Sequence, residues 1–268
     1  MTTIKTVAII TGASSGIGKA TALLFAKNGY RLSLCGRNEV NLKQVVEECI
    51  GFGLSNEQIV TTIGDVREEK TLDNIVKQTN DRFGQIDVLV NNAGIIDRGG
   101  AETTPLSVLD DLMDVNVKSL IRLTQLAVPY LEKTKGSIVN VSSISGICAF
   151  PAVTYYCMSK AAVDKFTECL AQELAPKGIR VNAFPAVTYY CMSKAAVDKF
   201  TECLAQELAP KGIRVNAFVE RGKAGHALGR CGTVEEVAQG ILYLARDATF
   251  TTGELLKIDG GKSLLVPR

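Results

Sequence analysis

The chain has 268 residues, enough for one large domain or two small ones with a substantial buried core. Its 30 Lys and Arg residues nearly balance 28 Asp and Glu residues, and the net charge of +2 includes no long run of one sign. This balance argues against nucleic acid or a membrane surface as a partner, and every apolar stretch is shorter than the roughly 20 residues that a membrane span requires.

Short apolar runs alternate with helix-length amphipathic segments along the chain. The predicted strands are Val7–Thr11, Leu32–Cys35, Ile59–Ile63, Val88–Val90, Ser137–Ser142, Ile179–Asn182 and Leu255–Asp259. The predicted helices are Gly16–Asn28, Asn41–Ile50, one around Leu72–Phe83, Leu106–Leu131, one through Val163, Phe166, Leu170 and Leu174, and Thr233–Ala245. This alternation predicts an α/β fold, a Rossmann-type doubly wound parallel sheet. No Pro- or Ser-rich linker divides the chain, so we predict a single domain over residues 1–268.

A 34-residue unit occurs twice in tandem, so that Ala149–Phe184 recurs letter for letter as Ala183–Phe218. Residues 185–218 therefore duplicate residues 151–184. A helical-repeat architecture is excluded because stacked repeats need about three units to close a core, and nothing outside the two copies shares the period. A recent duplication, a splicing or gene-model error, or an engineered insertion fits better.

The cysteines and the one histidine do not indicate a metal site. Two of the eight cysteines arise from the duplication, no Cys-x-x-Cys occurs, and His226 cannot anchor a His-based site alone. We expect reduced cysteines, no metal and a cytoplasmic location. The N-terminus runs directly into the first predicted strand, so no cleavable signal is expected.

A glycine-rich segment, TGASSGIG, joins the first predicted strand to the first predicted helix. Glycines allow a tight turn and a close approach of the backbone to a pyrophosphate, and the helix N-terminus offers free N–H groups. The spacing is G-x-x-x-G-x-G rather than the G-x-G-x-x-G of the usual dinucleotide-binding motif. The segment therefore matches such a site in the physical role of its glycines and not in their spacing. The candidate cofactor-binding residues here are Gly12, Ser14, Ser15, Gly16, Ile17 and Gly18.

Further motifs follow this segment in a fixed order. They are Asn91-Asn92-Ala93-Gly94, Asn116, Ser143 and Tyr156-x-x-x-Lys160. Together the five motifs resemble the short-chain dehydrogenase/reductase family, in particular its 3-oxoacyl-carrier-protein reductase branch and related carbonyl reductases. The resemblance covers residues 5–184 and resumes near Gly229.

The resemblance implies an oxidoreductase that uses NAD(P)H to reduce a carbonyl to an alcohol, or the reverse. The implied cofactor contacts are made by Asp65 and Val66 with the adenine, and by Asn92, Ala93 and Gly94 with the adenosine ribose. The implied partner is a small-molecule carbonyl or alcohol substrate, whose identity the sequence does not encode.

The end of the second predicted strand bears on the choice of cofactor. It reads Cys35-Gly36-Arg37, without the acid that NAD enzymes place near the ribose 2′-hydroxyl. A guanidinium can bind a 2′-phosphate through two hydrogen bonds. We therefore favour NADP(H), and NAD(H) stays an alternative because Ser15, where many NADP-binding relatives carry a second cation, is not basic.

Tyr156 and Lys160 lie four residues apart on a predicted helix and hence on one face. A nearby ammonium favours the phenolate and lowers the pKa of a tyrosine from its ordinary value of about 10. By the resemblance, Tyr156 donates the proton to the carbonyl oxygen and Lys160 also holds the nicotinamide ribose. Ser143 would orient the carbonyl, and Asn116 would maintain a proton relay.

The duplication supplies a second candidate pair, Tyr190 and Lys194. Ser143 precedes Tyr156 by thirteen residues, as the family pattern expects, whereas Lys177 stands thirteen residues before Tyr190. We therefore predict that the first copy lies in the sheet and that the second copy replaces the usual substrate lobe.

The duplication also removes the Pro-Gly loop that follows the sixth strand in the family. An alternative function is therefore that of a catalytically impaired nucleotide-binding or interaction protein. The resemblance implies a homo-oligomer, either a tetramer or a dimer. The duplication puts this expectation in doubt, because a second copy of an interface helix could mimic a partner subunit or block the interface.

Overall fold

The computed structural model describes residues 6–186, 230 and 232–260. These residues contain six strands, β1 (Val7–Thr11), β2 (Arg31–Gly36), β3 (Ile59–Ile63), β4 (Val88–Asn91), β5 (Ser137–Ser143) and β6 (Arg180–Ala186). They also contain seven α-helices, α1 (Gly16–Lys27), α2 (Glu39–Gly51), α3 (Glu69–Phe83), α4 (Leu106–Met113), α5 (Ser119–Thr134), α6 (Thr154–Leu174) and α7 (Val234–Leu242).

The strands form one parallel sheet in the order β3-β2-β1-β4-β5-β6. The α/β fold with a doubly wound parallel sheet is therefore confirmed. The order reverses between β1 and β4, and such a switch point opens a crevice at the carboxyl ends of the strands. The glycine-rich segment and the Asn91–Gly94 motif both lie at this crevice.

Both faces of the sheet are covered, which explains why the central strands β1 and β4 are buried and nearly continuous apolar runs. Successive residues of β1 point to opposite faces of the sheet. Ile10 packs with α1, α2 and α7 on one face, and the preceding residue, Ile9, packs with α3, α5 and α6 on the other. No helix in the described ranges is both long and apolar enough to cross a membrane.

Two predicted elements differ from the structure. The helix predicted over Leu106–Leu131 is interrupted by one π-helical segment, Asp114–Lys118, between α4 and α5. The strand predicted at Leu255–Asp259 is wrong as a continuous strand, because within the described residues the segment pairs with β6 only at one isolated bridge, Leu255 with Ala183. The residue of β6 that would face this segment next is Pro185, which has no N–H to donate, so the ladder does not continue beyond Leu255.

The first copy of the duplicated unit forms α6 and β6 and is part of the sheet. Its Arg180 donates hydrogen bonds of 2.6–2.9 Å to the carbonyls of Leu244, Ala245 and Ala248, just beyond α7. A Cβ on Gly240 of α7 would overlap the ring of Phe184, so these two elements are in close contact. Tyr190, Lys194 and His226 lie outside the described residues.

Candidate active site

The glycine-rich segment forms a tight turn between β1 and α1. Gly12 and Gly16 have φ of +64° and +54°, values that only glycine adopts freely. A Cβ on Gly18 would overlap the carbonyl oxygen of Gly12, so α1 packs directly against the turn. Ser15 precedes α1 without a side-chain hydrogen bond to its first turn. The first amides of α1 are therefore available to an anion.

Asn92 and Thr11 join this turn to the end of β4. The Asn92 side chain donates to the carbonyls of Thr11 (2.8 Å) and Gly12 (3.3 Å). The Thr11 hydroxyl accepts from the backbone amides of Asn92 and Ala93, both at 3.0 Å. The two segments expected to bind the cofactor are thus fixed relative to each other, and Thr11 is a positioning residue that the sequence did not single out.

A groove of about 410 Å³ runs from this turn to α6, within the range of roughly 300–1,000 Å³ usual for ligand sites. The predicted residues that line it are Gly12, Ser14, Ser15, Ile17, Arg37, Asp65, Val66, Asn92, Ala93, Gly94, Tyr156 and Lys160. Four predicted residues do not line it, namely Gly16, Gly18, Asn116 and Ser143. Lining residues that the sequence did not predict are Cys35, Gly36, Asn38, Gly64, Ile95, Ile96, Val115, Val141 and Ser142.

Charged groups gather at the end of the groove that lies beyond β2. Arg37 has a side chain that is 65% exposed, and its guanidinium lies 3.7 Å from the Asp65 carboxylate. Hydrogen bonds from Arg67, with help from Arg37, lower the pKa of Asp65. Arg67 also pairs with Asp111 at 3.2 Å. Arg37 is thus the guanidinium whose side chain is free to turn towards a further anion in the groove.

Tyr156 and Lys160 lie at the other end of the groove, both buried. The Lys160 ammonium donates to the carbonyl of Val141 (2.9 Å) and lies 5.8 Å from the centre of the Tyr156 ring. Burial lowers the pKa of Lys160 to about 8, and the charge of Asp164 opposes this change. The ammonium is therefore close enough to Tyr156 to act on its phenol electrostatically.

Asn116 lies in the π-helical segment, a geometry often found at functional sites. Its side-chain amide is held from two sides, because it accepts from the amide of Ile95 (2.8 Å) and donates to the Ile95 carbonyl (2.9 Å). It also donates to the hydroxyl of Ser159 on α6 (3.0 Å). A Cβ on Gly94 would lie 3.2 Å from the Asn116 side-chain oxygen and 3.6 Å from the Lys160 ammonium. Gly94 thus leaves the space between these two side chains open.

Ser143 ends β5 and begins a single 3₁₀ turn, Ile144–Gly146. Its hydroxyl accepts a hydrogen bond from the amide of Ser145 (3.1 Å), which fixes its direction. In the register of the sheet Ser143 pairs with Ala186, the last residue of β6. The five cysteines in the described ranges are free, and no group of three metal-ligating side chains occurs there.

The model of the family described as short chain dehydrogenase matches residues 6–186 and matches again over residues 183–220. The chain belongs to the short-chain dehydrogenase family. The second match starts inside the first copy and continues through the second, as a tandem duplication requires.

Individual members of the family are similar over nearly the full length of the chain. The 3-oxoacyl-[acyl-carrier-protein] reductase FabG of Thermotoga maritima is 39% identical over 257 residues, which cover 95% of this chain and 96% of the relative. The L-fucose dehydrogenase of Mus musculus is 33% identical over 259 residues, covering 96% and 88%. The apo structure of a glucose dehydrogenase of Caenorhabditis elegans has a TM-score of 0.78 at 33% identity and covers 98% of this chain and 100% of that one.

This short-chain dehydrogenase is therefore an oxidoreductase that transfers hydride between a nicotinamide cofactor and a carbonyl or alcohol. The alternative of a silent nucleotide-binding protein is not favoured, since the relatives that share its length bear the names of enzymes.

Proposed function

We propose that this short-chain dehydrogenase reduces a small-molecule carbonyl with NADPH, or oxidises the corresponding alcohol with NADP⁺, and that the first copy supplies the catalytic pair. One observation carries the proposal: Tyr156 and Lys160 line the same groove as the glycine-rich turn. A cofactor with its pyrophosphate at that turn would extend along the groove towards these two side chains.

The residues present fit a dinucleotide. Gly18 lets α1 pack onto the turn, and Gly94 leaves the middle of the groove open. The first amides of α1 would hold the pyrophosphate, Asp65 and Val66 would contact the adenine, and Asn92, Ala93 and Gly94 would contact its ribose. All five of these side chains and backbone segments line the groove, which supports this assignment. The cofactor, when bound, supplies or accepts the hydride.

Side chains of the protein would transfer the proton. Tyr156 would donate it to the carbonyl oxygen, and the Lys160 ammonium would stabilise the phenolate that remains. Ser143 would donate a hydrogen bond to the substrate carbonyl oxygen, and Asn116 would support the relay that returns a proton to Tyr156. Because the Val141 carbonyl fixes Lys160, its charge is held in place before the substrate binds.

The preference for NADP(H) over NAD(H) is supported by Arg37. We expect Arg37→Asp to raise the KM for NADPH by at least about tenfold, which corresponds to about 1.4 kcal/mol of lost binding. The introduced carboxylate would repel a 2′-phosphate but accept a hydrogen bond from a 2′-hydroxyl, so the KM for NADH should fall. Steady-state kinetics with both cofactors measure this change.

The matched control is Lys43→Asp, which makes the same change of charge at a side chain on α2 that is 70% exposed and does not line the groove. Its cofactor preference should equal that of the parent protein. If Arg37→Asp left the ratio of the two KM values unchanged, the NADP(H) preference would be refuted.

The substrate class can be tested with compounds suggested by the relatives. NADPH oxidation would be followed with small ketones, diketones and 3-oxoacyl thioesters, and NADP⁺ reduction with L-fucose and glucose. We expect turnover with at least one carbonyl compound. Absence of turnover with every compound and both cofactors, in a protein that binds NADPH, would contradict the proposed reaction.

We also propose a homo-oligomer in the cytoplasm. The free cysteines in the described ranges support the location, because structural disulfides are typical of oxidising compartments. Light scattering of the purified chain measures the oligomeric state, and a monomer at all concentrations would contradict that part of the proposal.

A further inference from the structure

Asp164 is a buried acid that the proposed reaction does not use. It lies on α6, four residues after Lys160 and hence one turn further along the same face, and it is 6% exposed. Among the described residues neither carboxylate oxygen has a hydrogen bond of good geometry, although the Ser142 hydroxyl is near enough to lower the pKa of the acid. A buried charge so poorly supplied with donors is costly, so its presence beside the site calls for a physical role.

The carboxylate contacts the turn that follows Ser143. A Cβ on Gly146, the last residue of that turn, would overlap Oδ2 of Asp164 and would lie 2.9 Å from the backbone carbonyl of Lys160. The hydroxyl of Ser142 donates to the same Lys160 carbonyl over 3.4 Å. Asp164 therefore lies where β5, the turn and α6 meet.

Two charged groups act on Asp164 among the described residues, Lys160 and Glu168, both on α6. The contacts from β5 and from the turn are Ser142 and Gly146, which carry no charge. Burial raises the pKa of Asp164 to about 6, while Ser142 and Lys160 oppose this change. Asp164 therefore loses its negative charge as the pH falls through this raised pKa.

We propose that Asp164 is a positioning residue whose buried carboxylate, one helical turn from Lys160, keeps Lys160 in its ammonium form and so keeps Tyr156 ready for proton transfer. The inference rests on the proposed function of that pair. The physical reason is that Lys160 is itself buried, and a buried amine loses its proton readily unless a negative charge lies nearby.

The kinetic test compares Asp164→Asn with the parent protein from pH 5.5 to pH 8.5. At pH 5.5 the parent Asp164 carries the least negative charge and Lys160 is protonated in both proteins, so the two kcat/KM values should be most similar there. By pH 8 the variant should be at least about fivefold slower, because loss of a buried negative charge one helical turn away is expected to lower the pKa of Lys160 by about one unit. A role in packing alone would give the same loss at every pH, and that result would overturn the proposal.

Two further variants complete the kinetic test. Glu168→Gln removes an acid one turn beyond Asp164, at a side chain that is 37% exposed. The kcat/KM of this variant should stay close to that of the parent protein at every pH. Asp164→Ser provides a second uncharged variant should Asp164→Asn fail to fold. Its loss of kcat/KM relative to the parent must grow with pH in the same way.

A spectroscopic titration separates this proposal from the proposed reaction, because it needs no turnover. The tyrosinate absorbance of Tyr156 is obtained as the difference between each protein and its Tyr156→Phe form. Asp164→Asn should move the midpoint of this titration to higher pH by at least about half a unit. A shifted midpoint in a protein without any turnover would support the positioning role of Asp164 and would refute the proposed carbonyl reduction. An unchanged midpoint, with or without turnover, would overturn the role of Asp164.

Discussion

Replacing Tyr156 by phenylalanine is expected to lower kcat by about 10²–10⁴-fold, the usual contribution of a positioned general acid. The hydroxyl is the only group removed, and Tyr156 is buried beside Lys160 in the groove. NADPH affinity should change little, since the phenol is expected to act on the substrate oxygen. Single-turnover kinetics and fluorescence titration with NADPH measure the two quantities separately.

Tyr190→Phe is the matched control, because the duplication places the same substitution in an identical local sequence. If the first copy supplies the catalytic pair, the kcat of Tyr190→Phe should stay within about twofold of the parent value. If Tyr190→Phe abolished turnover and Tyr156→Phe did not, the assignment of the catalytic pair to the first copy would be wrong.

Gly18→Ala is expected to destabilise the protein and to weaken cofactor binding together. Its Cβ would overlap the Gly12 carbonyl oxygen, a rigid backbone atom, and overpacking of this kind costs about 1–3 kcal/mol. Relief of the clash would move α1 away from the turn, so we expect NADPH affinity to fall by at least about tenfold, or about 1.4 kcal/mol. Chemical denaturation and NADPH titration measure the two effects.

Gly51→Ala is the matched control, because a Cβ at the end of α2 meets nothing within 4 Å. Alanine stabilises a helix relative to glycine by up to about 1 kcal/mol, so this variant should be as stable as the parent or more so, with unchanged NADPH binding. Equal stability of Gly18→Ala and the parent would show that the turn tolerates displacement of α1.

Much of the fold follows from local patterns of the sequence. β1, which is buried on both faces, is a nearly continuous apolar run and has the predicted bounds, and so does the edge strand β3. The segment Leu255–Asp259 is also predicted as a strand. Its pairing stops after one bridge because the residue of β6 that would face it next is Pro185, and no local pattern reveals a partner so far along the chain.

The site was predictable where its chemistry requires a particular residue type. Glycines at the turn and the Tyr-x-x-x-Lys pair carry such a requirement, and most of the residues named from these motifs line the groove. Ile95, Ile96 and Val115 also line it, yet as apolar residues they resemble any core position. Asp164 was missed because an acid on a helix is usually solvated, and only the packing of Gly146 against it shows otherwise.

The contacts between β6 and the segment around α7 have a consequence for the integrity of the molecule. Arg180, Asn182 and Phe184 hold that segment through hydrogen bonds and close packing between residues far apart in the chain. A backbone cut anywhere between residues 187 and 229 would leave every one of these contacts in place. The two fragments should therefore remain associated as a nicked protein, held together non-covalently across the edge of the sheet.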